Sequence, residues 1–278
     1  MTDQASDVDA APVLQVFSQA SSIRPRSAGT FDAEISGGWT IGGRPSGGYL
    51  LALLGRAASS LTDSRDVVAA SAHYLRSPDP GPVEIEGEVL RSGRSISQVR
   101  ARMSQGGRPC VEGLISTSEL DPSTAPRWDG GVPDIQHIPF DGGIRLPPLT
   151  PDGIPVAMLH QVDLRVDPES SGITTSRPSG RGQLRGWLKL LGEESFDSIS
   201  LLYAIDAFPP ATFDTDFGCW MSTVEMTAYV RAIPAHGPVR IVSRVRLIDP
   251  QWVDQTCDVW DGTGRLVAQA TQLAKVLG

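Results

Sequence analysis

The chain contains one pattern twice, and this internal repeat constrains the fold more than any other feature of the sequence. The stretch AHYLRSPDPGPVEIEGEVL begins at Ala72, and TAYVRAIPAHGPVRIVSRVRL begins at Thr227. A repeated pattern of this length predicts that each copy is one structural unit. The matched positions are Tyr74 with Tyr229, Arg76 with Arg231, Gly81 with Gly237, and Arg108 with Arg265.

The order of elements predicts one apolar helix followed by long antiparallel strands in each copy. In the first, Ser46 is the expected N-cap of a helix that runs to Leu61, and alternating strands joined by tight turns follow it. In the second, the helix is expected over 197–208, with strands near 221–232, 238–248, 251–260 and 265–276. A sheet curled around one central helix is the hotdog architecture. The predicted fold class is therefore α+β, a double hotdog; the alternative is a pair of unrelated α+β domains, which the repeat disfavours.

Prolines and glycines dominate the segment between the two copies. Eight prolines fall within residues 121–155, and an unstructured connection of this length is uncommon inside one compact domain. We therefore expect an N-terminal hotdog unit over 1–120, a Pro/Gly-rich linker over 121–155 and a C-terminal hotdog unit over 156–278.

The composition narrows the possible partners and the location. The net charge of −8 argues against nucleic-acid binding, which needs a basic surface. Three widely spaced cysteines favour free thiols in a reducing compartment. The first residues have no signal-peptide pattern and no apolar run is long enough for a membrane span, so a cytoplasmic protein is expected.

The common catalytic motifs are missing from the sequence. It contains no G-x-S-x-G nucleophile elbow, no P-loop, no H-E-x-x-H and no dinucleotide-binding glycine motif after a strand. The four histidines have no metal-ligand spacing; they are His73, His137, His160 and His236. Neither a metal site nor a cofactor is expected, and a serine, cysteine or metal hydrolase has little support.

Polar residues at positions that should be apolar remain as candidates for chemistry. The helix segment SISLLYAIDAFPP is apolar nearly all round, yet it carries Asp206. Burying a charge costs several kcal/mol unless it is paired, hydrogen-bonded or protonated. Asp206 is therefore predicted to have a function, although a carboxylate that only caps the turn before Pro209 and Pro210 is an open alternative.

Two more polar residues stand out in strands of the second copy. Strict alternation places Thr223 on the same strand face as Glu225, and Gln272 interrupts a row of small or apolar residues in the last strand. At the nearest repeat offset Thr223 falls on Val68 and Gln272 on Ile115, and the first helix carries no acidic residue. Because a purely structural duplication gives no reason for these differences, the second copy is predicted to carry the reactive groups.

These segments resemble a known enzyme family. YAIDAFPPATF, STVEMTAYVRA and RLVAQATQL resemble the C-terminal half of type II acyl-CoA thioesterases, and GRPSGGYLLALLGRAASSL resembles their N-terminal half. The resemblance covers roughly residues 30–120 and 155–278. It implies a double hotdog, hydrolysis of acyl-CoA to fatty acid and CoA, and a catalytic set of Asp206, Thr223 and Gln272. In the family Asp-His usually follows the threonine, whereas here Val224-Glu225 does.

The resemblance also implies how the reaction proceeds. The three side chains would hold a water molecule, and Asp206 would take its proton as it attacks the thioester carbonyl. The backbone N–H groups of Gly47 and Gly48 are expected to bind the oxyanion, with tight packing of the helix against the sheet as the alternative reason for both glycines. Gly43 and Arg44, in the preceding turn, are the expected substrate-binding residues.

Other functions remain open at this point. One is a different hotdog enzyme such as an enoyl-thioester hydratase, although the helix lacks the histidine that such an enzyme needs. Another is a non-catalytic hotdog protein that binds an acyl thioester or another hydrophobic ligand, which would have no use for a buried base. Long sheet edges also favour self-association, so we expect a homodimer.

Overall fold

The computed structural model describes residues 13–131 and 138–277, and one antiparallel sheet dominates it. The helices are α1 Phe17–Ala20, α2 Gly47–Ser60 and α3 Ser198–Ala204. The first half contributes the strands β1 Ile23–Ser27, β2 Thr30–Ile35, β3 Thr40–Ile41, β4 Arg44–Pro45, β5 Asp66–Tyr74, β6 Gly81–Arg91, β7 Ser97–Gln105 and β8 Arg108–Ser118. The second half contributes β9 Ile144–Arg145, β10 Val162–Val166, β11 Gln183–Leu190, β12 Met221–Val230, β13 Val239–Ile248, β14 Trp252–Trp260 and β15 Leu266–Val276.

The strand order repeats the internal symmetry of the sequence. The large sheet runs β1-β2-β6-β7-β8-β5-β12-β15-β14-β13-β11-β10-β9, so the two halves meet where β5 pairs with β12. Ser71 lies opposite Thr227 at the centre of this pair, and the strands on either side follow in matching order. The large antiparallel sheet with few helices agrees with the predicted α+β class.

The expected strands and the first helix agree closely with the structure, whereas the second helix is shorter than predicted. It ends at Ala204 rather than 208, because the chain continues in tight turns in which the N–H of Asp206 donates to the carbonyl of Tyr203 and that of Ala207 to the carbonyl of Ala204. Proline also disfavours a helical conformation at 208, the residue before Pro209. Its start is fixed by Asp197, whose side chain accepts the N–H groups of Ile199 and Ser200.

The end of the predicted linker belongs to the folded second half. Within the segment 121–155, strand β9 pairs with β10, and the N–H of Leu146 donates to the carbonyl of Leu164. Leu146 is buried, and Leu149 forms an isolated bridge with Pro155. Apolar side chains between the prolines therefore attach this stretch to the sheet. Residues 132–137 of the segment lie outside the described residues.

The two main helices pack against each other beneath the sheet. A Cβ placed on Gly48 would lie 2.7 Å from the carbonyl oxygen of Leu202, and one placed on Gly55 would lie 2.8 Å from the Cδ1 of the same leucine. Both glycines therefore let α2 approach α3 closely. The contact brings the start of α2 to the end of α3.

Candidate active site

The first turn of α2 offers backbone N–H groups that its own cap does not use. The hydroxyl of Ser46, the N-cap as predicted, accepts a hydrogen bond from the N–H of Tyr49 at 3.3 Å. The N–H groups of Gly47 and Gly48 lack a partner within the helix, as in the first turn of any α-helix. Together with the helix dipole they favour a negatively charged group at this point.

The carboxylate of Asp206 occupies this position. Asp206 lies two residues beyond the end of α3, in a turn that its own N–H closes on the carbonyl of Tyr203 at 3.1 Å. Its Oδ2 accepts the N–H of Gly48 at 2.7 Å, and the N–H of Gly47 donates to the same carboxylate. The interpretation that Asp206 caps the turn of its own helix is therefore wrong, because the carboxylate caps α2 instead.

Burial makes this carboxyl group a base suited to neutral pH. Desolvation raises the pKa of Asp206 to about 6, and the hydrogen bonds from Gly48 and Gly47 offset only part of that rise. A carboxyl group with this pKa is mostly deprotonated at pH 7, yet it binds a proton more strongly than an ordinary aspartate does. Both properties suit a general base.

The alternative predicted for the two glycines was tight packing of the helix against the sheet. In the structure, the close contact at Gly48 is with α3 and the turn that follows it. At Gly48 a Cβ would meet backbone oxygen atoms of α3 and the Cβ of Asp206, all closer than 3.0 Å. At Gly47 a Cβ would lie 3.2 Å from both Asp206 Oδ2 and the ring of Tyr74. The absence of side chains therefore lets Asp206 reach the amides, and at Gly48 the amide is already engaged by that carboxylate.

Thr223 and Gln272 meet on neighbouring strands. The Thr223 hydroxyl donates to the Gln272 Oε1 at 3.0 Å across the β12–β15 pair, and Gln272 is 7% exposed. The strand register shifts between Thr223 and Glu225, so a β-bulge interrupts the strict alternation expected from the sequence. Bulges near active sites re-aim side chains, and this one lets Thr223 reach a buried partner.

Asp206 and the Thr223–Gln272 pair have neighbours in common. Gln272 and Ile205, which directly precedes Asp206, line one small space together with Cys257. Burial, assisted by the nearby Asp206, raises the pKa of the Cys257 thiol to about 12 despite a hydrogen bond to Ser243. This thiol is protonated at neutral pH and is a poor nucleophile.

The predicted substrate-binding residues lie at the surface before α2. Gly43 has a φ of +79°, in the turn between β3 and β4, where the space around its Cα is open. Arg44 is exposed and forms an ion pair with Asp79. The described contacts thus join Arg44 to a surface carboxylate and not to Asp206.

Sequence reasoning missed a large cavity that is lined in part by the residues after Asp206. It has a volume of about 490 Å³, and Ala207, the residue after Asp206, lines it. Buried apolar side chains form much of its wall, among them Leu146, Met158 and Leu164. The signal that could have pointed to it is the run of apolar residues among the prolines of the predicted linker.

Sequence reasoning also missed Tyr74. Its hydroxyl donates to the carbonyl of Gly47 at 2.9 Å, at the start of α2. Burial raises its pKa well above the usual range, and the nearby Asp206 and Glu225 raise it further. The available signal was a tyrosine at the end of an inward row of alanines, Ala70 and Ala72.

The described part of the chain contains neither a cluster of metal-ligating side chains nor a helix that could cross a membrane. Within residues 13–131 and 138–277 no group of three or more His, Cys, Asp or Glu side chains could hold a metal ion. His137 lies outside these ranges. None of the described helices is long and apolar enough to cross a membrane.

Family models match both halves of the chain. Residues 35–118 match a model described as the acyl-CoA thioesterase N-terminal domain, and residues 133–276 match the acyl-CoA thioesterase C-terminal domain. An uncharacterised protein from Mycobacterium tuberculosis is 29% identical over 287 residues, covering 94% of this chain and 98% of its own length.

Solved structures share the whole architecture. A candidate thioesterase II from Thermobifida fusca is 31% identical, with a TM-score of 0.86 over 97% of this chain and 100% of its own. A hotdog-fold protein of unknown function from Alicyclobacillus acidocaldarius is 19% identical, with a TM-score of 0.82 over 96% and 99%. An acyl-CoA thioesterase II from Mycobacterium marinum is 15% identical, with a TM-score of 0.73 over 94% and 98%. The likeness to the Alicyclobacillus protein establishes a hotdog-type fold.

Proposed function

The chain belongs to the acyl-CoA thioesterase family, and from that premise we propose that it hydrolyses acyl-CoA with a water molecule held by Asp206, Thr223 and Gln272. The products are a fatty acid and free CoA. The observation that carries the proposal is the buried carboxylate of Asp206, whose pKa is raised to about 6 at the start of α2.

The three side chains divide two tasks between them, the removal of a proton and the orientation of the water. Asp206 takes a proton from the water as the water oxygen attacks the thioester carbonyl carbon. Thr223 and Gln272 already share a hydrogen bond, and their remaining hydrogen-bonding capacity orients the water. The carbon–sulfur bond then breaks, the acid keeps the new oxygen, and the departing thiolate of CoA takes up the proton.

The amides of Gly47 and Gly48 act at two stages in this proposal. Before attack they bind the carboxylate and hold it in position. When Asp206 takes the proton, negative charge moves from its carboxylate to the thioester oxygen, and the same amides favour the new anion. Gly43 and Arg44 belong to the surface over which the CoA portion approaches.

The double-hotdog arrangement is part of the proposal. The N-terminal unit, taken as 1–120, supplies the helix start, and the C-terminal unit, taken to begin before 156, supplies the three side chains. The matching strand order of the two halves and the central β5–β12 pair support this division. Within residues 13–131 and 138–277, β1 and β9 are the two edge strands of the sheet, and such edges favour the expected homodimer.

The experiment measures the release of free thiol from acyl-CoA esters of increasing chain length, with wild type and Asp206→Asn. We expect the variant to lose about 10²–10⁴-fold in kcat, the usual contribution of a general base. Asp197→Asn is the matched control, because Asp197 also binds helix-start amides and asparagine is an equally good N-cap. Unchanged hydrolysis by Asp206→Asn contradicts the mechanism, and binding without turnover by the wild type favours a ligand-binding protein.

A further inference from the structure

The lining of the cavity beside Asp206 has a buried part, which we call the inner wall, and an exposed part, which we call the mouth. The inner wall is apolar and buried, with Leu146, Met158 and Leu164 among its side chains. The mouth carries the exposed acidic residues Asp152 and Asp216. The polar lining is completed by the hydroxyl-bearing residues Thr150, Thr174, Ser176 and Thr215.

One residue of the cavity lining, Ala207, directly follows the proposed base in the chain. Ala207 lines the cavity and is bonded to Asp206, and consecutive Cα atoms are only about 3.8 Å apart. Ile41, from the hairpin that precedes α2, lines the cavity as well. A volume of about 490 Å³ lies within the range of small-molecule pockets, about 300–1,000 Å³. A group bound at Asp206 therefore has an apolar chamber beside it.

The charges decide which part of the substrate enters this chamber. The lining residues include two acidic side chains and no Lys, Arg or His among the residues described. The nucleotide phosphates of CoA are anionic and would be repelled at such a mouth. Exposed arginines stand beside the start of α2, with Arg44 three residues before Gly47 and Arg76 two residues after Tyr74. The exposed Arg177 lies in the chain between the lining residues Ser176 and Pro178 but does not itself line the cavity. CoA therefore approaches from the side of Arg44 and Arg76.

We propose that the cavity holds the acyl chain, and that Asp152 and Asp216 at its mouth make the enzyme select chains with an uncharged distal end. The inference rests on the proposed thioester hydrolysis. Saturated chains fit the apolar wall, and a terminal hydroxyl group finds hydrogen-bond acceptors at the mouth. A terminal carboxylate is ionised at neutral pH and meets two acidic side chains, so dicarboxylic monothioesters are poor substrates.

The test compares three substrates of one length. The acyl-CoA with the highest kcat/KM in the chain-length panel is measured beside its ω-hydroxy and ω-carboxy analogues. We expect the ω-hydroxy ester to remain within about threefold of the parent and the ω-carboxy ester to fall about tenfold. In the double variant Asp152→Asn, Asp216→Asn the ω-carboxy deficit should shrink to about twofold, while the ratio of the other two esters stays constant.

A matched variant separates the mouth from general electrostatics. Asp63→Asn with Asp129→Asn changes the net charge equally, and both residues are exposed and outside the cavity lining. This control should retain the full discrimination against the ω-carboxy ester. Higher salt should weaken that discrimination, because exposed charges are screened.

Three outcomes would overturn the inference. Equal kcat/KM for the parent and the ω-carboxy ester contradicts selection by charge. Discrimination that persists unchanged in the Asp152, Asp216 double variant places its origin elsewhere. If the wild type hydrolyses none of the esters, the proposed function itself fails, and the inference fails with it.

Discussion

The start of α2 and the start of α3 are equivalent places in the two halves, and each binds a carboxylate from the other half in a different way. At α2 the backbone N–H groups of Gly47 and Gly48 donate to Asp206, whereas at α3 the Ser198 hydroxyl donates to Asp66 at 3.0 Å. Counted from the N-caps Ser46 and Asp197, Gly55 is the counterpart of Asp206. Where Asp206 meets Gly48, a Cβ on Gly55 would meet the side chains of Leu202 and Ile199. The contact at Gly48 is therefore polar, whereas the contact at Gly55 is apolar.

The strand register extends this comparison to the other two proposed catalytic residues. Both β5 and β12 carry a bulge, and Thr223 precedes one of them as Val67 precedes the other. Gln272 lies opposite Met226, and its counterpart Ile115 lies opposite Ala70. Val67 and Ile115 are buried.

The difference follows from how each helix start satisfies its backbone N–H groups. At α3 the Asp197 side chain accepts two of them and Ser200 completes a capping box, so the turn needs no outside partner. At α2 Ser46 accepts only the N–H of Tyr49, and the two glycine amides remain for Asp206. The fold thus builds the same junction twice, and the choice of N-cap helps decide which one can hold a reactive group.

The largest expected effect is the pH dependence of kcat/KM that Asp206 produces. Its counterpart Gly55 has no side chain that could titrate. Because the base must be deprotonated, kcat/KM should rise with pH through about 6 and level off above pH 7. Below the inflection it should fall about tenfold per pH unit. The profile is measured by loss of thioester absorbance, with circular dichroism at each pH as the control for folding. An inflection near pH 4 would mean that burial does not perturb this carboxyl group.

The two glycines of the helix contact give the next largest difference. Gly48→Ala should cost about 1–3 kcal/mol of stability and most of the activity, because its methyl group would meet backbone oxygens and the Cβ of Asp206. Gly55→Ala should be nearly neutral, since the end of the Leu202 side chain can move and alanine favours the helix by about 1 kcal/mol. Urea denaturation and kcat measure both, and equal losses would contradict the proposed asymmetry.

The third comparison exchanges a hydroxyl between the junctions. Thr223→Val keeps the shape of the side chain but removes the donor to Gln272, and kcat should fall about tenfold to hundredfold with little change in KM. Val67→Thr should leave kcat unchanged and cost about 1–3 kcal/mol, because it buries a hydroxyl among apolar groups. Retention of full activity by Thr223→Val would remove Thr223 from the mechanism.

The fold was largely predictable from the sequence, because the repeat and the alternating strands are local patterns. The pairing of residues between copies was less accurate. The sequence offset, taken from Tyr74 and Tyr229, placed Thr223 on Val68, whereas the strand register places it on Val67. The two bulges lie at equivalent positions and leave the offset between the copies unchanged, so the error comes from matching two tyrosines that are identical but not equivalent. A slip of one residue moves every side chain to the other face of a strand.

The candidate site residues could be selected from the sequence, but their contacts could not. Asp206 stood out as a charge in an apolar segment, yet its partners Gly47 and Gly48 are about 160 residues away and depend on how the two helices pack. The cavity wall was hidden for a related reason. Its residues were read as linker because prolines outweighed the apolar residues between them.

The two tyrosines matched by the repeat offer the smallest and most discriminating test. They are the same residue type, but the strand register makes Val230, not Tyr229, the position equivalent to Tyr74. Tyr229 is 43% exposed and lies on the opposite face of the sheet. Tyr74→Phe removes the hydrogen bond to the Gly47 carbonyl and loosens the helix start that holds Asp206, so kcat should fall about threefold to tenfold. Tyr229→Phe should leave kcat unchanged. Equal effects of the two substitutions, or none from Tyr74→Phe, would mean that the start of α2 is held without this hydroxyl.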